Sequence, residues 1–326
     1  MRLSLVVPCY NEVEVISRFH QALSLELAGT GRPYEIVYVD DGSADGTLDA
    51  LVSLAATDES VRYLSFSRNF GKEAAMLAGL RYATGDAVVI MDADLQHPPE
   101  LIGRMLAEYE RGFDQVIARR NRTGDPATRT LFARAYYWLI NKWADVELMD
   151  GVGDFRLLSR RAVDGLLELN EYNRFSKGLF AWIGFESLLF EYENVKAAPD
   201  RKSRWTFRRL LEYGLDGLLS FNNKPLRAAI YIGLLLTGIA AAYAVWVLVA
   251  ALVHGVDMPG YVTLIAAITG LGGLQMVMLG VIGEYIGRIY YETKKRPHYL
   301  LKQTNMDPAD RLNMPPAPGG GTTRGR

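Results

Sequence analysis

A single cysteine, Cys9, rules out a disulfide framework within this chain, and its place in a short apolar run marks it as a core residue. Charge is missing from two long stretches: residues 228–253 and 258–283 contain no Asp, Glu, Lys or Arg. Each exceeds the roughly 20 apolar residues that cross a bilayer core, and globular helices rarely run so far without a charged face. Two membrane helices are therefore predicted, at about 228–253 and 260–284. Basic residues are absent from the loop between them, which carries only Asp257, whereas Lys224 and Arg227 precede the first span and Arg288, Lys294, Lys295 and Arg296 follow the second. By the positive-inside rule both termini face the cytoplasm. No signal peptide is read at the start, because the apolar run Leu3 to Val7 is short and stops at Pro8. No GxGxxG follows that run, which disfavours a dinucleotide-binding dehydrogenase, and no nucleic-acid-binding motif is present.

What is there divides the chain. Residues 1–200 read as a cytoplasmic α/β domain, 201–227 as amphipathic juxtamembrane helix, 228–290 as a membrane hairpin and 291–326 as a cytoplasmic tail with a disordered end, PPAPGGGTTRGR. Strands are predicted at Leu3 to Val7, Glu35 to Val39, Val61 to Phe66 and Ala87 to Met91, with helices at Glu14 to Ala28, Asp45 to Ala56 and Lys72 to Ala83 between them. That alternation implies a mostly parallel sheet with flanking helices. Polar residues follow each strand: Asn11 and Glu12, Asp40 and Asp41, Arg68 to Lys72, then Asp92 and Asp94. In open parallel sheets ligands bind beyond the carboxyl ends of the strands, so these groups should converge on one crevice.

Asp92 and Asp94, at i and i+2 after a strand, can turn together toward a hard cation that prefers oxygen ligands and leaves positions open for phosphates. Gln96 and His97 are close enough to add a ligand or a supporting hydrogen bond. Taken alone, the pair is equally a solvated turn before Pro98-Pro99-Glu100. Asp41 reads equally as a turn residue accepting backbone N–H bonds.

The combination is more specific. VVPCYNE (Val6 to Glu12), VDDGSADGT (Val39 to Thr47), SRNFGK (Ser67 to Lys72) and MDADLQHPPE (Met91 to Glu100) resemble family 2 glycosyltransferases of the GT-A fold. VGDFRLLSR (Val152 to Arg160), SRWTFRRLL (Ser203 to Leu211), LDGLLSFNNKPLR (Leu215 to Arg227) and GEYIGRIYYETKKRPHY (Gly283 to Tyr299) resemble the polyprenyl-phosphate branch, which includes bactoprenol glucosyltransferases and dolichol-phosphate mannose synthase. The resemblance implies that Pro8, Tyr10, Glu12 and Asp40 bind the donor nucleoside, and that Asp92, Asp94 and Gln96 hold Mg²⁺ or Mn²⁺ with the diphosphate. Lys72 is a further donor contact or an exposed helix-start lysine. Arg119 and Arg129 are matched to the lipid phosphate, with Arg204 near the donor or acceptor phosphates. Ala133 stands where relatives often have Ser, and Arg201 replaces the usual glycine two residues before Ser203.

The arginines 119, 120, 122, 129 and 134 precede Tyr136, Tyr137, Trp138 and Trp143, a set suited to an anionic lipid interface. Trp205 to Phe221 places Phe207, Leu210, Leu211, Leu215 and Leu218 on one stripe, read as a helix lying on the cytoplasmic leaflet or packed on the soluble domain. Asp154 is assigned with Asp94 to catalysis, the alternative being a structural carboxylate paired with Arg156. The expected reaction is inverting transfer of a hexose, glucose from UDP-glucose before mannose from GDP-mannose, to undecaprenyl phosphate in a bacterial inner membrane. A flippase and a second transferase would act downstream, and the membrane glycines at 233, 238, 270, 272, 273, 280, 283 and 287 would allow a homo-oligomer. Two other readings stand beside it: a processive polysaccharide synthase, whose QxxRW motif is broken at Arg201, and a non-catalytic membrane scaffold that binds nucleotide sugars.

Overall fold

The computed structural model describes residues 1–120, 151–192 and 260–307, with residues 141 and 149 and scattered helical positions between 231 and 253. The elements run β1 (Leu3–Cys9), α1 (Val13–Gly29), β2 (Tyr34–Asp40), α2 (Thr47–Thr57), β3 (Val61–Phe66), α3 (Lys72–Tyr82), β4 (Ala87–Ile90), α4 (Leu101–Glu110), β5 (Gln115–Arg120), β6 (Val152–Ser159), α5 (Arg160–Glu168), α6 (Ser176–Trp182), β7 (Ser187–Tyr192), α7 (Tyr261–Lys294) and β8 (Leu301–Thr304). Among the described residues eight strands form one sheet in the order β7-β5-β6-β4-β1-β2-β3-β8. The β3-β2-β1-β4 half is parallel, as expected, and β5 pairs with β7 in parallel. Strand β6, which joins β4 to β5, is antiparallel to both, and β8 adds antiparallel to the outer edge of β3.

Strand alternation sorts the core into two faces. Leu3, Leu5 and Val7 of β1 meet Ile16, Phe19, Leu23 and Leu27, which recur on one face of α1 at helical spacing. Val6 points the other way, against Met76 and Leu80 of α3 and Val163 and Leu166 of α5. Complete burial of one such leucine or phenylalanine stabilises the fold by roughly 1.5–3 kcal/mol. Helix α3 approaches closest: a Cβ on Gly79 would lie 2.2 Å from Val6 Cγ1, so glycine is required for this helix–strand contact.

At the amino-terminal edge the sheet buries a carboxylate. Glu35, 2% exposed, accepts from Ser4 Oγ (2.5 Å), Thr84 N (2.7 Å), Thr84 Oγ1 (2.9 Å) and Arg2 Nη2 (3.1 Å). Glu35→Ala strands these donors and is expected to cost about 3 kcal/mol, read as a lowered denaturation midpoint of the full-length chain. An unchanged midpoint would remove this network from the account of stability.

Among the described residues one helix, over Gly270–Lys294, is long and apolar enough to cross a membrane. It belongs to α7, which continues past the predicted end of the second span at residue 284, through Glu284 and Arg288, to Lys294. The charges end the apolar run without ending the helix. The first predicted span falls partly outside the described residues, and the amphipathic segment 201–227, residues 121–140 of the basic-aromatic segment and the end of the tail lie wholly outside them. Residues 301–304, read from sequence as part of a tail, contribute β8 to the sheet.

Candidate active site

The crevice begins where β1 and β4 part. Val6 accepts from Met91 N (3.0 Å), but the β1–β4 ladder stops at Val6–Ile90, while β1 and β2 stay paired to Cys9–Asp40. Pro8 has the parity of Val6, so the position that would next donate to β4 has no N–H to give. The strand order also reverses here, with β2 on one side of β1 and β4 on the other. Asn11 (φ 55°) after β1 and Leu95 (φ 58°) after β4 both hold left-handed backbone, which is costly for leucine.

Three of the sequence-assigned residues meet in this crevice. Lys72, the first residue of α3, places Nζ 2.6 Å from Asp92 Oδ1 and 2.6 Å from Asp154 Oδ2, tying the end of β4 to β6. Burial alone would raise both carboxyls; the Lys72 charge outweighs it and keeps each below the ordinary carboxylate range. The same carboxylates overcome the desolvation of Lys72 and raise its ammonium. Asp154 is therefore ionised at neutral pH, and its ion-pair partner is Lys72. Arg156 instead donates from Nη2 to Gly153 O (2.8 Å) and lies 3.8 Å from the Phe180 ring centroid. His97 Nε2 lies 3.8 Å from Asp92 Oδ2, its Nδ1 is 2.6 Å from Tyr192 OH, and its ring packs on Phe155. Asp94 Oδ1 accepts from Gln96 N (3.0 Å), closing the turn, and both side chains are half-buried.

The loops after β1 and β2 are laced together. Asn11 N donates to Ser43 Oγ (2.9 Å), Ala44 N to Asn11 Oδ1 (3.0 Å) and Glu12 N to Thr47 Oγ1 (2.9 Å). Asp40 is buried and accepts from Ser43 N (3.1 Å) and Ser65 Oγ (2.7 Å), whereas Tyr10 stands exposed at the rim. Asp41 accepts from Phe70 N (2.6 Å) and Gly71 N (2.9 Å) of the β3–α3 loop, a cross-loop tie in place of the local turn role read for it, and burial raises it to about 6 against these bonds. Arg119 lies at the end of β5, with Nε 3.8 Å from Glu191 Oε1. Arg129 and Arg204 fall outside the described residues.

The paired carboxylates, the switch-point crevice and the apolar helix point to a class, and comparison with known proteins decides it. Residues 4–167 match glycosyl transferase family 2, and residues 224–289 match the GtrB C-terminal hairpin. The chain belongs to glycosyl transferase family 2. It is 52% identical to CsbB of Bacillus subtilis (strain 168) over 308 residues, 94% of this chain and 93% of that one. It is 41% identical over 309 residues to the bactoprenol glucosyl transferase of Shigella phage SfX, covering 93% of this chain and 99% of the relative. A prophage bactoprenol glucosyl transferase homolog of Escherichia coli (strain K12) is 40% identical over 306 residues, covering 93% and 99%. The sheet and its helices are accordingly a GT-A-like fold.

This family 2 site also contains residues that motif reading passed over. Glu73, next to Lys72, accepts from Ser176 N at 3.1 Å and from Ser176 Oγ, joining α3 to the start of α6. Lys177 follows Ser176 and is lowered by burial against the pull of Asp154. Their sequence signal was only a second charged residue beside Lys72 and a Ser-Lys pair far along the chain, brought together by packing of α3 against β6 and α6. Burial, opposed by the Ser176 bonds, raises Glu73 to about 7 from an ordinary 4.5. The folded state then holds more protons than the unfolded state between those values, so this group's contribution favours folding below them and is lost as pH rises through about 7. Glu73→Gln is expected to flatten that part of the stability–pH profile; a profile parallel to wild type would rule the assignment out.

Proposed function

We propose that the protein transfers a hexose, glucose from UDP-glucose first, to the phosphate of a polyprenyl lipid at the cytoplasmic face of a bacterial membrane. The carrying observation is the Asp92–Lys72–Asp154 cluster at the mouth of the β1–β4 crevice, in a chain whose relatives include enzymes named as bactoprenol glucosyl transferases. The long apolar helix and the match to the GtrB hairpin support two membrane spans with both termini cytoplasmic.

A divalent cation fits the donor set. Among the described residues no group of three or more His, Cys, Asp or Glu is gathered tightly enough to cage a metal. The carboxylates of Asp92 and Asp94 and the amide of Gln96 are hard oxygen donors, and Mg²⁺ commonly takes one or two carboxylates with phosphates and water completing the shell. Asp92 also sits against a positive charge, the Lys72 ammonium. Asp92, Asp94 and Gln96 would hold Mg²⁺ or Mn²⁺, which when bound supplies charge neutralisation for the departing diphosphate.

The remaining chemistry belongs to the protein and the acceptor. Tyr10 and the loops around Glu12 and Asp40 hold the nucleoside. Lys72 lies within reach of a diphosphate beside Asp92 and moves from its carboxylates to the phosphates as they enter. A lipid phosphate, with a second pKa near 6, is largely dianionic at pH 7 and needs little deprotonation. Asp154, kept ionised, therefore orients the incoming phosphate or the sugar hydroxyls instead of removing a proton. In-line attack on the anomeric carbon inverts it, giving a β-linked phosphosugar from an α-linked donor, with Arg119, Arg129 and Arg204 on the phosphates. Purified protein with undecaprenyl phosphate and a panel of nucleotide sugars tests the donor. UDP-glucose is expected to turn over fastest, while a preference for GDP-mannose would reassign the sugar.

A further inference from the structure

Beyond the Lys72 end of the crevice lies a second concavity, of about 390 Å³, that the transfer chemistry does not use. Its walls are the β3–α3 loop, the first turn of α3, the α5–α6 loop and His298, which follows α7. The α5–α6 loop is tied to the end of α7. Tyr172 N donates to Glu292 Oε1 (2.7 Å), and the Tyr172 ring stacks on Tyr291 at 5.5 Å and on His298 at 5.9 Å. The cavity is thus built against the carboxyl-terminal end of α7.

Its charge is lopsided. Arg68 and Arg174 line it, and Arg81, 5% exposed, lies near enough to act on both Arg174 and His298. Among the described residues, the Nε atoms of Arg81 and Arg174 are buried with no hydrogen-bond acceptor. Such donors are costly to leave unmet. Of the nearby carboxylates, Glu73 is engaged with Ser176 and Glu292 with Tyr172 N, which leaves Glu171 beside Arg174 as a partial counter-charge. The volume is within the range of small-molecule sites.

We propose that this cavity binds a phosphate-ester anion, with Arg68 and Arg174 as its charged contacts. It is distinct from Arg119, which is on β5, separated in the sheet from β3 by β6, β4, β1 and β2. Its place at the exit of α7 points to a lipid headgroup as the source, the alternative source being a soluble phosphate. This assignment does not depend on transferase activity; only the lipid source depends on α7 entering a bilayer.

Native mass spectrometry of the full-length chain, released from micelles of phosphatidylcholine carrying increasing phosphatidylglycerol, tests it without a turnover assay. Wild type is expected to retain phosphatidylglycerol at least about ten-fold more tightly than Arg174→Ala, as loss of a charge-assisted contact requires. Arg68→Ala, a change at an exposed side chain, should weaken retention in the same direction and covers the case in which Arg174→Ala fails to fold. Inorganic phosphate, titrated alone, distinguishes the sources. Saturable binding by wild type that is lost in Arg68→Ala supports the anion site with a soluble ligand, and phosphatidylglycerol retention without it supports the headgroup. Equal retention of both probes by wild type and Arg68→Ala overturns the proposal.

Discussion

Asp94→Asn is expected to lower sugar transfer by about 10²- to 10³-fold while leaving the folded chain intact. The fold should survive because the bond Asp94 makes here, accepting from Gln96 N, is one that an asparagine carbonyl can also make. What the amide cannot supply is a negative charge in the ligand set proposed for the cation. EDTA should reproduce the loss in wild type, and added Mg²⁺ or Mn²⁺ should restore it. Full activity in EDTA would remove the cation from the mechanism; full activity of Asp94→Asn would remove only this ligand.

Lys72→Met carries the second large effect. The substitution leaves Asp92 and Asp154 without the ammonium that now lies 2.6 Å from each, so one of them should take up a proton near neutral pH. Turnover is expected to fall by about 10²- to 10³-fold, because the diphosphate also loses its charged contact. Stability should fall with a defined pH dependence. In wild type both carboxyls sit below their ordinary value of 3.8, a contribution fully present above that value and lost as pH falls through the lower folded values. In Lys72→Met this contribution is absent at neutral pH. Adding Asp154→Asn should return part of the stability, by removing the repulsion, and none of the turnover. Recovery of turnover in the double variant would show that Lys72 serves only to neutralise Asp154.

Much of the parallel half was legible because each strand is a short apolar run closed by polar turn residues, and its boundaries moved by only a residue or two. Pro8 misled in one respect: it reads as a strand terminator, yet β1 continues through it to Cys9, because the missing N–H faces the gap where β4 has already diverged. Strands β6, β7 and β8 were not read. Residues 152–159 carry a motif whose Gly and Asp obscure alternation, and Leu301–Thr304 is a four-residue edge strand with three polar side chains. Asp154 was implied only by the family resemblance, while the meeting of Lys72 and Asp92 could be anticipated as a convergence at strand ends. The salt-bridge partner of Asp154 could not, because Arg156 is close in sequence while Lys72 reaches Asp154 only through the packing of α3 on the sheet. Glu73, Ser176 and Lys177 were invisible for the same reason: their pairing spans about a hundred residues of chain and depends on tertiary contact.

The most direct measurement is transfer of radiolabel from UDP-glucose to undecaprenyl phosphate by the purified full-length protein, followed by extraction into chloroform and mild acid treatment. A chloroform-soluble product that releases its label in mild acid, formed by wild type and absent with Asp94→Asn, is the predicted result. Label appearing only in a water-soluble or acid-stable polymer, or no transfer from any nucleotide sugar with Mg²⁺ or Mn²⁺ present, would contradict a lipid-phosphate glycosyltransferase.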